Sequence, residues 1–138
     1  MGISAVKRSI FVLFACLCFS SASYAQPAGR LFNPDAIETV SGKVSRIDQI
    51  YPEGRLGYGV HVVLDTNGEV LSVHLGPSQF LSQHDLVIKE GDQLTVTGSK
   101  AVLNGTDFII ATKVEKDGKA IILRDKDGIP MWSERQKY

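Results

Sequence analysis

An all-β barrel of five or six short strands is the fold class this chain predicts. Three observations lead there: a hairpin signature in its middle, evenly spaced turn dipeptides after it, and period-two apolar patterning between them. The hairpin spans residues 58–76, with Asn67-Gly68 at its centre. A two-residue type I′ turn needs positive φ at both central positions, and Asn-Gly supplies that. The turn fixes a register in which Thr66 faces Glu69. Val60 then opposes Leu75, Val62 opposes Val73 and Leu64 opposes Leu71, giving one apolar face. The other face pairs His61 with His74, Val63 with Ser72 and Asp65 with Val70. A slip of one residue would scramble both faces, so turn and pattern support each other.

The first strand is expected over 37–50. Val40, Gly42 and Val44 share a face, and Ile47 breaks the alternation. A bulge near Ser45-Arg46 restores it and bends the strand; Gly42 eases the same bend. Residues 51–57 carry Pro52 and two glycines and read as a loop. After the hairpin, Pro77 ends its second strand because it cannot donate to a ladder. Residues 77–84 suit a short helix with Phe80 and Leu81 turned inward. Residues 94–99 alternate as a fourth strand. Asn104-Gly105 marks a turn, and 107–115 form a fifth strand with Phe108, Ile110, Thr112 and Val114 in phase. Residues 116–119 turn again, and a last strand is expected over 120–124. A long kinked first strand and a short helix between strands three and four specify an OB-like Greek-key barrel. A plain antiparallel barrel or sandwich is the alternative.

The chain has 138 residues, enough for one domain. Residues 1–25 read as a signal peptide: basic Lys7 and Arg8, an apolar run over 9–19, then small residues at −3 and −1 before Gln26. The run is short for a bilayer span, so export with no stable membrane span after cleavage is expected, the periplasm being the compartment. Leu13-Phe14-Ala15-Cys16 loosely resembles a lipobox, but Phe14 is bulky for it and apolar residues continue past Cys16. Residues 26–36 are an irregular lead-in, 37–132 the barrel, and 133–138 a polar tail. Both cysteines, Cys16 and Cys18, lie in the leader, so the exported domain has no thiol chemistry and no disulfide. Without Lys7 and Arg8, acidic side chains outnumber basic ones by two. Domains that grip phosphate backbones are distinctly basic, so nucleic acid is not an expected partner.

Three segments carry a resemblance: His74-Leu75-Gly76-Pro77, residues 91–99 (Gly-Asp-Gln-Leu-Thr-Val-Thr-Gly-Ser), and residues 123–132 ending in Pro130-Met131-Trp132. Together they resemble small exported bacterial proteins with an OB-like barrel, a group that includes magnetosome-associated members. The resemblance implies an exported, non-enzymatic barrel and supplies no catalytic residue.

The sharpest chemical feature is the His61/His74 pair. Cross-strand Cβ atoms lie about 4.5–5.5 Å apart, near enough for both imidazoles to hold one Zn²⁺ or Cu²⁺ ion. A third ligand would have to come from Asp48, Asp65, His84 or another chain, so a metal-binding protein is the alternative and no cofactor is the primary expectation. OB-folds bind ligands on this face. Lys43, Arg46 and Tyr58 are its expected neighbours, with Tyr51 and Arg55 leaning over from the loop. Aromatic and cationic groups there would suit an envelope protein or a small molecule, with single-stranded nucleic acid or oligosaccharide as a further alternative. Residues 124–128 have spaced carboxylates but lack the closing Glu of a calcium loop, and read as a turn. Trp132 reads as a plug on the open end of the barrel. No serine sits in a nucleophile elbow, so an enzyme is not expected. Nothing in the sequence selects an oligomeric state.

Overall fold

The computed structural model describes residues 31–50 and 57–133. The leader, Tyr51, Arg55 and the tail beyond residue 133 lie outside the described residues. Within the described residues, a 3-10 turn at Pro34–Ala36, its first amide capped by the Asn33 side chain, leads into six strands and one helix. These are β1 (Ile37–Ile50), β2 (Gly59–Thr66), β3 (Glu69–Pro77), α1 (Ser78–Gln83), β4 (Gln93–Leu103), β5 (Thr106–Lys116) and β6 (Lys119–Ile122).

The order across the sheet is β3-β2-β1-β4-β5-β6, and β3 also pairs with β5. That pairing is parallel and closes five strands into a barrel, with β6 as an added strand beside β5. One short helix follows β3. This is the connectivity of an OB-fold.

Strand β1 serves two neighbours, pairing with β4 from Ile37 to Lys43 and with β2 from Lys43 to Ile50. The expected bulge is present between Val44 and Arg46. It lets Val44 and Ile47 both contribute to the core despite their odd spacing. Gly42 sits where β1 meets the end of β2: a Cβ there would lie 2.6 Å from the Asp65 carbonyl oxygen. The bend therefore needs a residue without a side chain.

Asn67 and Gly68 have φ of 56° and 92°, as the tight turn requires. The β2–β3 register agrees with the sequence from His61↔His74 to Thr66↔Glu69. It departs at the far end, where a shift between Val60 and His61 sets Val60 opposite Gly76 rather than Leu75. Val60 and Leu75 both stay buried.

The core holds Val44, Val62, Leu64, Val73, Leu75, Leu94, Val96, Ile109, Val114 and Leu123, all essentially free of solvent. Burying each such side chain stabilises the fold by about 1.5–3 kcal/mol. Helix α1 adds Phe80 and Leu81. Two expectations need correction. Strand β5 does not keep Phe108, Ile110, Thr112 and Val114 in phase. A shift at Thr97/Gly98 lets Lys113 face Thr97 and Ala111 face Gly98, with Thr112 as the extra residue. Ile109, Ala111 and Val114 enter the core, whereas Phe108 and Ile110 join a second cluster with Ala101, covered by Leu31 and Phe32. A strand buried on both faces does not alternate. The last strand also stops at Ile122, and Arg124 instead bridges to Pro130. The Asp125 carboxylate there accepts from the amides of Asp127 and Ile129, which makes the segment a turn.

Candidate functional site

Strands β2 and β3 turn Val62, Leu64 and Val73 inward, so His61 and His74 project from the outer face. Their rings lie face to face, centroids 3.7 Å apart and planes 12° from parallel. Strand β5 runs beside β3, pairing Ser72 with Phe108 and His74 with Ile110. This brings the Phe108 ring onto His74 at 4.5 Å and 20°. Leu31 and Phe32 pack against the Phe108 cluster. On the other side, Asp48 of β1 is the cross-strand partner of His61. Arg46 grips Asp48 with two parallel bonds, Nε to Oδ1 at 2.8 Å and Nη2 to Oδ2 at 2.9 Å. The result is a row across four strands: a fork-bound carboxylate, two imidazoles and a phenyl ring.

The row is built to hold its imidazoles neutral. Burial lowers the pKa of His61, and Arg124 adds to that while Asp48 opposes it. Burial, then the neighbouring His61 and Arg124, push His74 down to about 4. Arg124 follows β6 and reaches the place where β3 and β5 part. Its Nη1 donates to the Leu75 carbonyl at 3.0 Å and to the Ala111 carbonyl at 2.5 Å. These are the residues next along each strand after the last paired position, His74↔Ile110. The guanidinium so continues the seam with side-chain bonds. It lies 4.9 Å from the Trp132 ring centroid, and burial lowers its own pKa to about 10. Trp132 packs against Phe80 and the core at this end, in the plugging position.

Stacked rings direct their in-plane nitrogen lone pairs into parallel planes, so the two imidazoles as placed do not converge on one ion. The other sequence-proposed ligands are engaged elsewhere. Arg46 holds Asp48, Asp65 accepts from the Gly68 amide at the hairpin tip, and His84 Nδ1 lies 2.9 Å from the Phe80 carbonyl at the end of α1. Among the described residues no group of three or more His, Cys, Asp or Glu is placed to hold a metal.

Of the residues proposed for this face, the fold unites His61, His74 and Arg46. Lys43 is on the outer surface but opposite Asp65, in a polar cleft of about 350 Å³ with Ser41, Asn67 and Gln93. Tyr58 does not join the face: it packs against the core and lines a separate cleft of about 320 Å³ with Ile47, Ser78 and Leu86. Tyr51 and Arg55 lie outside the described residues. Sequence reasoning missed Phe108 and Arg124. The unbroken apolar run 108–111 signals a strand covered on both sides and points to Phe108. No local pattern points to Arg124, whose role comes from distant strands.

The closed five-strand topology defines an OB-like barrel, and the histidine row lies on the outer side of its β2–β3 hairpin. The model of the MamS/MamX magnetosome protein family matches residues 36–121, and the chain belongs to that family. Among solved structures it is similar to the Stn1-Ten1 complex of S. pombe, with 20% identity, a TM-score of 0.45, and coverage of 62% of this chain and 68% of that one. No curated protein matches it in sequence.

Proposed function

We propose that this member of the magnetosome family is an exported, non-enzymatic binding module that docks a protein partner on the outer β2–β3 face. The observation that carries this reading is the half-buried pair His61 and His74, backed by the buried Phe108 ring and edged by the Arg46–Asp48 fork. Aromatic rings and arginines are enriched where proteins meet, and anchor groups there sit in partly desolvated surroundings. Small molecules favour enclosed apolar cavities. His61 and His74 line none of the four clefts described around the barrel, of about 320–530 Å³.

Site-specific photocrosslinking in the native host tests the reading. A photoreactive residue at Ser72, two residues before His74 on β3 and opposite Val63, is expected to form a discrete protein adduct that disappears when His61 and His74 are both alanine. The same probe at Ala120 on β6 is the control. No adduct at Ser72, or equal adducts at both positions, would overturn the proposal.

A further inference from the structure

Closure of this barrel depends on very little. Strands β3 and β5 share three paired positions, Ser72↔Phe108, Val73↔Ile109 and His74↔Ile110. Beyond them the strands are joined through the Arg124 guanidinium. The stack of His61, His74 and Phe108 lies directly over this short seam, linking β2, β3 and β5.

Of the charges that surround the stack, Asp48 alone favours a further cation, and only on His61. On the β1 side Asp48 is the one carboxylate partner, and Arg46 already neutralises it. Arg124 adds a positive charge that acts on both rings. Strand β5 offers Phe108 and Ile110, which carry no charge, and its Asp107 pairs with Lys100 at 3.6 Å. A proton on either imidazole thus places a half-buried cation 3.7 Å from the other ring, with Arg124 close by.

We infer that the β3–β5 seam is an acid-operated latch: proton uptake by the stacked imidazoles separates them, loosens the three-position seam, and releases a partner held on that face. The structural part stands on the stack and the seam alone; release of a partner rests on the docking proposal above. His61 is the ring that leaves, because Asp48 and solvent lie on its side while His74 is held between His61 and Phe108. Protonation of clustered histidines is a known way of flipping a two-state interface.

Amide hydrogen exchange of the purified protein between pH 7 and 4.5, corrected for intrinsic rates, tests the latch without any partner. Amides of residues 72–74 and 108–110 are expected to lose protection by up to about tenfold per pH unit for one coupled proton, while β1–β4 amides of residues 39–42 change far less. The double variant His61→Phe/His74→Phe keeps three stacked rings with nothing to protonate, and its seam is expected to be insensitive to acid. His84→Phe should respond as the unaltered protein does. Should the double variant fail to fold, the imidazole titrations of the unaltered protein decide by NMR. Coupled titration with the second proton binding well below the first supports the latch; two independent rings near the ordinary value of about 6.5 overturn it. Seam protection that does not vary with pH overturns it as well. Crosslinking at Ser72 separates the two proposals. An adduct at pH 7.5 that persists at pH 5 removes the release step and leaves the docking face. Absence of any adduct with an acid-labile seam removes the docking face and leaves the latch.

Discussion

Trp132 lies so close to Gly76 that no side chain fits between them: a Cβ on residue 76 would stand 2.7 Å from the indole ring. The glycine is the penultimate residue of β3, where the tryptophan packs over Phe80 and beside Arg124. Gly76→Ala must displace the ring, and overpacking of this kind costs about 1–3 kcal/mol. Trp132→Ala is expected to cost about 2–4 kcal/mol, toward the lower part of the range for large-to-small changes because the ring is only partly buried. Urea denaturation of the two single variants and the double variant checks the contact. The double variant should lose less than the two singles added together; strict additivity would mean the glycine is needed for some other reason.

Arg124→Lys tests the guanidinium at the seam. Arg124 bonds both Leu75 and Ala111 through one guanidinium nitrogen, Nη1. A lysine has a shorter reach and a more strongly hydrated head. Loss of charge-assisted bonds to two partly buried carbonyls is expected to lower stability by about 1.5–3 kcal/mol. Arg124→Lys with an unchanged urea midpoint would show that the seam does not depend on these bonds.

Stability should fall with acid in a defined window. The folded-state pKa of His74 is about 4, below the ordinary value of 6.5, and that of His61 is lowered too. A neutral imidazole favoured by the fold contributes fully above the unfolded pKa. Its contribution is lost as pH falls from about 6.5 toward the folded value. Carboxylates paired in the fold, such as Asp48 and Asp92, lose their own contributions at lower pH, since their folded values are also depressed. The urea midpoint is therefore expected to drop between pH 6.5 and 4.5, and His61→Phe/His74→Phe should remove most of that drop. A double variant as acid-sensitive as the parent would sink the assignment to these rings.

Calorimetric titration with Zn²⁺ and Cu²⁺ examines the parallel ring planes. Because the lone pairs do not converge, neither ion is expected to give saturable heat of a two-imidazole site. Heat that saturates at one ion per chain and vanishes in His74→Ala would mean that the rings unstack to form a metal centre.

The hairpin was legible because its information is local. Asn67-Gly68 sets the turn, and the alternation from His61 to Thr66 and from Glu69 to His74 sets the faces. The β1 bulge was legible for a similar reason, as a break in period at Ile47. The phase of β5 was not, because Phe108 to Ala111 are buried on both sides and carry no alternation. Neither were the stack's third ring and the Arg124 bridge. Both arise from the parallel β3–β5 pairing, which joins segments with the helix and a whole strand between them. The grouping of Tyr58 with the histidines failed because a shift at Val60/His61 and packing on the core take it to another cleft.

The three-position closure of the barrel also bears on how the chain assembles. The β2–β3, β4–β5 and β5–β6 hairpins each form between sequence neighbours through a two-residue bend with φ positive at both positions. Such local pieces form quickly, whereas contacts distant along the chain carry a loop-closure penalty and come slowly. Two pairings are distant along the chain, β1–β4 joining Ile37 to Ser99 and β3–β5 joining Ser72 to Phe108, and both are expected to form after the hairpins. Seven paired positions hold β1 to β4 and only three hold β3 to β5, so the β3–β5 closure is the one expected to open first as the domain unfolds.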